Sequence, residues 1–316
     1  MVSGSALARA NEYVWTVPMN DRDTSPATQV PGPAPTGVSV SRDDVSWRLW
    51  VPAMLHLLGF VVVYLTAVWT PFGQRAENAL FTAGWEGETG GSAAWVYDYS
   101  GHYGAVVAIP PLNSAGMPTL LVGIVLLAIE TVVRRRWWVG VASIATVVIT
   151  IGASVVGKDV LPRPDLVAAR ESLLATSFPS GHVAIPVALT LAAALIAPRD
   201  ARRPVVAIGT VWIAFSAAAV LATYQHRVSD ALGATLLACA VYLCVAPLLR
   251  GATTLAQKSE GGSVPWVTLT LAVLAAVVGG ARTDSFVEPL VFVVTGLVCA
   301  ALVWFVARYR GPRTQG

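Results

Sequence analysis

Charge is scarce in this sequence. Asp, Glu, Lys and Arg together make up 12% of 316 residues, about half of the roughly 25% typical of a soluble domain. That deficit argues against a cytosolic enzyme, and the 55% hydrophobic content excludes a chain disordered throughout. Cysteine is nearly absent. Cys239, Cys244 and Cys299 all lie in apolar runs, which excludes a disulfide-stapled secreted domain. A net charge of +3 is too small to suggest a nucleic-acid partner. No apolar run occurs before about Trp47, too late for a signal peptide, and no internal repeat is visible.

What is present is a succession of apolar stretches. Crossing about 30 Å of hydrocarbon at 1.5 Å per residue takes about 20 residues. Eight stretches meet or approach that length: 49–69, 116–133, 138–157, 183–198, 204–222, 230–248, 265–281 and 289–307, the fourth and seventh being short. Prolines fall mostly at their ends; Pro186 lies in the first turn of the fourth, where it is tolerated. The expected fold class is all-α, a polytopic membrane bundle of about eight transmembrane helices. Residues 1–47 are polar and proline-rich and read as a disordered cytoplasmic tail. Residues 48–250 read as a six-span core, and 251–316 as two additional helices with a short cytoplasmic tail.

Placing the N-terminus inside puts fifteen Lys and Arg residues in inner segments and six in outer ones, the bias expected of cytoplasmic loops. Both termini are then cytoplasmic. The polar segments 71–115, 158–182 and 223–230 all fall on the outer face, where residues distant in sequence can meet.

Three elements in those segments carry chemistry. The first is Lys158-Asp159-Val160-Leu161-Pro162-Arg163-Pro164. Snorkelling cations at a helix end are the plain reading; two cations on a proline-stiffened turn also suit a phosphate, which Arg binds bidentately. The second is Ser177-Phe178-Pro179-Ser180-Gly181-His182, just before the fourth span. Ser180 is a good N-cap in either reading, and a helix N-terminus with Gly181 admits an anion close to the backbone while His182 offers a proton. The third is Tyr224-Gln225-His226-Arg227-Val228-Ser229-Asp230. His226 and Asp230, four apart, share one helix face. The pair is either a surface His with a capping Asp, or an imidazole whose tautomer is set by a carboxylate so that its other nitrogen can attack.

Taken in order, the Lys…Arg-Pro, Pro-Ser-Gly-His and His-three-residues-Asp elements resemble the type 2 phosphatidic-acid phosphatase superfamily, which also includes vanadium haloperoxidases. The resemblance covers about 49–250. It implies that His226 is the nucleophile forming a phosphohistidine, that Asp230 orients it, and that His182 protonates the leaving oxygen. It also implies that Lys158, Arg163, Ser180 and the Gly181 amide hold the phosphate, without metal or other cofactor. The sequence departs from the family pattern twice. Its Arg-Pro stands two residues early, Asp165-Leu166 filling the usual slot, and Ala219-Val220 stands where the family has Ser-Arg. Arg227, or else Arg170, is the candidate to supply the missing cation.

The function implied is an integral membrane phosphatase, acting on the outer face of the plasma membrane on a lipid phosphomonoester or diphosphate. Phosphatidic acid, phosphatidylglycerophosphate and polyprenyl (di)phosphates are the candidate substrates. A phosphotransferase using the same intermediate and a non-catalytic lipid-binding or transport protein are the alternatives; oligomeric state is not legible. Three features outside the motifs have plain readings. His56 is a buried, hydrogen-bonded residue, Glu130 pairs with Arg134, and Trp85, Trp95, Tyr97, Tyr99, His102 and Tyr103 anchor at the interface or form a lid.

Overall fold

A computed structural model describes residues 42–82, 116–169, 173–223, 226–249, 266–281 and 287–308. The tail before residue 42, the aromatic segment from Trp85 to Tyr103, Arg170, Tyr224 and Gln225 lie outside the described residues. All regular structure among the described residues is helical: α1 (Arg42–Val68), α2 (Pro71–Thr82), α3 (Gly116–Arg134), α4 (Trp137–Val160), α5 (Gly181–Ile196), α6 (Arg199–Ala222), α7 (Val228–Leu248), α8 (Trp266–Gly280) and α9 (Val287–Arg308). Six of them, α1, α3, α4, α6, α7 and α9, are long and apolar enough to cross a membrane; α5 and α8 are shorter apolar helices. The protein is a polytopic helical bundle.

Every one of the eight expected stretches is a helix. Two boundaries moved. Helix α1 begins at Arg42, within the segment read as tail, and α2 occupies the start of the segment 71–115 read as polar and outer.

The apolar periphery fits a membrane. On α3, Leu121, Val122, Val125, Leu126 and Ile129 are each more than half exposed, a pattern a water-soluble surface rarely carries as a patch. Helix α5 is the opposite case. It packs against α3, α4, α6, α7 and α9, and twelve of its sixteen residues are buried, which is why its sequence is apolar all round. At 16 residues it is about 24 Å long, long enough to fill the centre of the bundle.

The last two helices are packed into the bundle through small residues. A Cβ at Gly296 would lie 2.5 Å from the Ala214 carbonyl oxygen, and one at Gly279 would lie 2.6 Å from that of Phe215. Glycine at these two points lets α8 and α9 reach the backbone of α6, the close approach that small residues permit between membrane helices. His56, half-buried, hydrogen-bonds through Nδ1 to the Pro52 carbonyl, and Glu130 pairs with Arg134.

Candidate active site

The C-terminal ends of α4 and α6 and the N-terminal starts of α5 and α7 bring the three sequence elements to one end of the bundle. At the start of α5, Ser180 is the N-cap: its extended backbone (φ −67°, ψ 118°) points the hydroxyl back to accept from the Val183 N–H at 3.3 Å. The Ser180 N–H donates to the Asp230 carbonyl at 3.0 Å, so the starts of α5 and α7 are tied backbone to backbone. Phe178 and Pro179 wedge the preceding loop into the bundle. The Phe178 ring packs on Phe60 and Tyr64, with centroids 5.0 and 5.2 Å away.

The two histidines meet. His182 Nδ1 lies 3.1 Å from His226 Nε2, with the rings edge to face. The other nitrogen of His226, Nδ1, faces Asp230 Oδ2 at 3.3 Å. The same carboxylate oxygen accepts the Arg227 N–H at 2.9 Å, so Asp230 both caps α7 and faces the imidazole; the capping part of the plain reading stands, but His226 is buried and not a surface residue. Asp230 is wholly buried and His226 is 5% exposed, whereas His182 is only half-buried. The carboxylate side of the triad is therefore shielded and the His182 side more open.

Lys158, half-buried at the end of α4, comes to the start of α5: its Nζ would be 3.8 Å from a Cβ at Gly181. Arg163 stands on the irregular strip after α4. The Tyr64 hydroxyl holds that strip by donating to the Pro162 carbonyl at 2.7 Å. Gln74 of α2 donates to the carbonyls of Pro164 and Val68 and accepts the Leu166 N–H. The Arg163 guanidinium donates from Nη1 to Glu77 Oε2 at 3.3 Å, with side-chain exposures of 5% and 8%. Its Nη2 is buried without a hydrogen-bond partner among the described residues.

Arg227 is 4% exposed. It donates from Nη2 to the Leu173 carbonyl at 2.6 Å, and from Nη1 to the Ser177 hydroxyl at 2.9 Å and the Ala175 carbonyl at 3.4 Å. These bonds direct the guanidinium to the loop that leads into Pro179-Ser180-Gly181. Val220, in the slot where the resemblance leads one to expect Arg, is fully buried, and its carbonyl accepts the His226 N–H at 3.2 Å.

Burial pushes the Glu77 carboxyl above the ordinary glutamate range, a tendency that the hydrogen bond from Ser229 and the charge of Arg163 oppose. Burial also lowers the Arg227 guanidinium, with the charge of Arg163 adding to it. Outside the pocket, Asp165 accepts the N–H groups of Ala169 and Val167, which hold its carboxyl below the usual range. Among the described residues no group of three or more His, Cys, Asp or Glu side chains could hold a metal ion.

Gln74 and Glu77 were not singled out in the sequence. The only signal available was their i, i+3 spacing with one polar face. That signal would have required reading 71–82 as a helix whose polar side turns inward.

The family model described as PAP2 superfamily matches residues 135–254. No curated protein and no solved structure matches the chain. The matched stretch, which holds Lys158, Arg163, Ser180, His182, His226 and Asp230, is thus similar to the PAP2 superfamily over the part of the chain that carries the candidate site.

Proposed function

We propose that this protein is an integral membrane phosphatase that hydrolyses a lipid phosphomonoester or diphosphate through a phosphohistidine at His226. The superfamily match supports a phosphoric ester hydrolase, and the apolar bundle supports a substrate whose tail stays in the bilayer. The observation that carries the reading is the line Asp230 Oδ2, His226 Nδ1, His226 Nε2, His182 Nδ1, with gaps of 3.3 and 3.1 Å.

A carboxylate facing Nδ1 assigns the His226 proton to that nitrogen and leaves the lone pair on Nε2. His182 Nδ1 then carries the proton of the 3.1 Å contact. In the resting site the nucleophile is thus covered by its own acid. An attacking nitrogen stands about 3–3.5 Å from the reacting atom, so the more exposed His182 ring moves aside to admit the phosphoryl group. His226 Nε2 forms the N–P bond as the ester P–O bond breaks, and His182 delivers its proton to the departing oxygen. Water then attacks phosphorus, His182 takes the water proton, the N–P bond breaks and orthophosphate leaves. No step in this sequence calls on a metal ion.

Lys158, Arg163, the Ser180 hydroxyl and the N–H groups at the start of α5 would face the equatorial oxygens, where charge grows in the transition state. Arg227 acts one layer out, holding residues 173–177 so that the start of α5 keeps its place. The site would lie on the outer face of the plasma membrane with both termini in the cytoplasm, an orientation that the bias of Lys and Arg toward the inner segments supports. The test is phosphate release from a panel of lipid phosphates by purified protein. We expect release that His226→Ala abolishes and that EDTA leaves intact; equal release by wild type and variant would dispose of the reading.

A further inference from the structure

The motifs explain why Lys158 and Arg163 are present, but not what aims Arg163. Arginine carries about 2 kcal/mol of side-chain rotamer entropy, and this one springs from a strip with no regular secondary structure. We propose that Glu77 is a positioning residue that aims the Arg163 guanidinium at the phosphoryl group and couples it to the start of the helix that follows the nucleophile; this rests on the phosphatase reading above.

The geometry is specific. Glu77 Oε2 accepts from Arg163 Nη1 at 3.3 Å, while Oε1 accepts the Ser229 N–H at 3.0 Å. Ser229 directly precedes Asp230 in the first turn of α7, where backbone N–H groups have no partner within the helix. One carboxylate therefore bridges the cation-bearing strip and the start of α7, which carries Asp230 and directly follows His226 and Arg227. Both side chains of the ion pair are over nine-tenths buried, and the second guanidinium nitrogen, Nη2, has no acceptor among the described residues. A guanidinium fork with one arm anchored and the other unspent suits a phosphoryl oxygen. One turn earlier on α2, Gln74 holds the strip just past Arg163, through Pro164 and Leu166, while Tyr64 holds it just before, through Pro162.

Stability alone gives little reason for a carboxylate here. Burial outweighs the opposing charge of Arg163 at Glu77, and buried ion pairs often contribute nothing net to folding. A group retained against that cost points to binding or chemistry.

The test compares wild type with Glu77→Gln, which keeps the shape and an acceptor for the Ser229 N–H but removes the charge facing Arg163. Orthophosphate binding is measured calorimetrically in detergent, so the result does not depend on turnover. We expect the orthophosphate dissociation constant to rise at least about tenfold, as loss of a charge-assisted hydrogen bond implies, with the melting temperature no lower than wild type. In turnover assays KM should rise by a similar factor and kcat fall less. Arg163→Gln should show the same loss, and the double variant no more than either single one. Unchanged orthophosphate affinity in Glu77→Gln, or additive losses in the double variant, would overturn the proposal. Should Glu77→Gln fail to fold, Glu77→Asp keeps the charge but withdraws it by one methylene, and the same loss of orthophosphate affinity is expected or the proposal fails. A wild-type protein that binds orthophosphate but releases none from any lipid would sink the phosphatase reading and leave the role of Glu77 in anion binding to be judged by these same variants.

Discussion

Gly233→Ala is the change in which fold and site are most tightly linked. A Cβ there would lie 2.3 Å from Phe178 Cε2 and 2.5 Å from Cζ, well inside van der Waals contact. The ring cannot simply swing away, because it is 4% exposed and packed on Phe60 and Tyr64. Overpacking of this kind costs about 1–3 kcal/mol. Any shift of Phe178 is passed to Pro179, Ser180 and His182 along the chain, and through Tyr64 to the Pro162 carbonyl beside Arg163. A misplacement of about 1 Å among reacting groups can cost about a hundredfold in rate. Thermal unfolding in detergent and phosphate release, measured together, should therefore both drop for Gly233→Ala. Gly152→Ala is the control, since nothing lies within 4 Å of its Cβ; it should match wild type or gain up to about 1 kcal/mol from helix propensity. Shrinking the ring with Phe178→Leu should restore part of the stability lost in Gly233→Ala. If Gly233→Ala melts and turns over like wild type, the packing that seats the start of α5 has been misread.

At Gly181 the opposite split is expected. The nearest protein atom to an added Cβ is Lys158 Nζ at 3.8 Å, an ordinary contact, so Gly181→Ala should keep its melting temperature and still lose phosphate affinity if the anion lies against that backbone. Arg227→Ala removes the donors that hold residues 173–177 and should lower turnover at least about tenfold, roughly 1.4 kcal/mol. Hydrogen exchange across 173–177 should rise in parallel; wild-type exchange and turnover would contradict its holding role. For Glu77, whose carboxyl is raised by burial, the folded protein binds more protons than the unfolded chain above the ordinary value of 4.5. That contribution to stability is complete below 4.5 and is lost as pH rises through the raised value. Facing Arg163 and Asp230, wild type should therefore lose melting temperature relative to Glu77→Gln as pH climbs from 4.5, and a gap independent of pH would refute the shift.

The apolar helices were legible because lipid or core surrounds them, so composition and length alone mark them. The site was legible where its chemistry is written in adjacent residues: Ser180-Gly181-His182 at one helix start, His226 and Asp230 one turn apart at another. Helix α2 was not. Its buried face is Gln74, Glu77 and Asn78, so hydrophobic periodicity has nothing to detect. The partners that make those polar residues meaningful, Arg163, Pro164 and Ser229, stand far along the chain. Arg227 shows the same limit in another form. Beside His226 in sequence it is a candidate for the phosphate cation, but its bonds to the carbonyls of Leu173 and Ala175 and to the Ser177 hydroxyl were not legible there. Side-chain direction at a helix cap depends on what packs around it, which a motif does not encode.

The sharpest trial is a single-turnover reaction with substrate labelled in its phosphoryl group, quenched in base before the second step completes. Wild type should carry the label as an acid-labile, base-stable N-phosphoryl adduct on the peptide containing His226, and His226→Ala should carry none while still folding. Label on another residue, or turnover with no protein-bound label at any time point, would contradict the nucleophilic imidazole on which the mechanism stands.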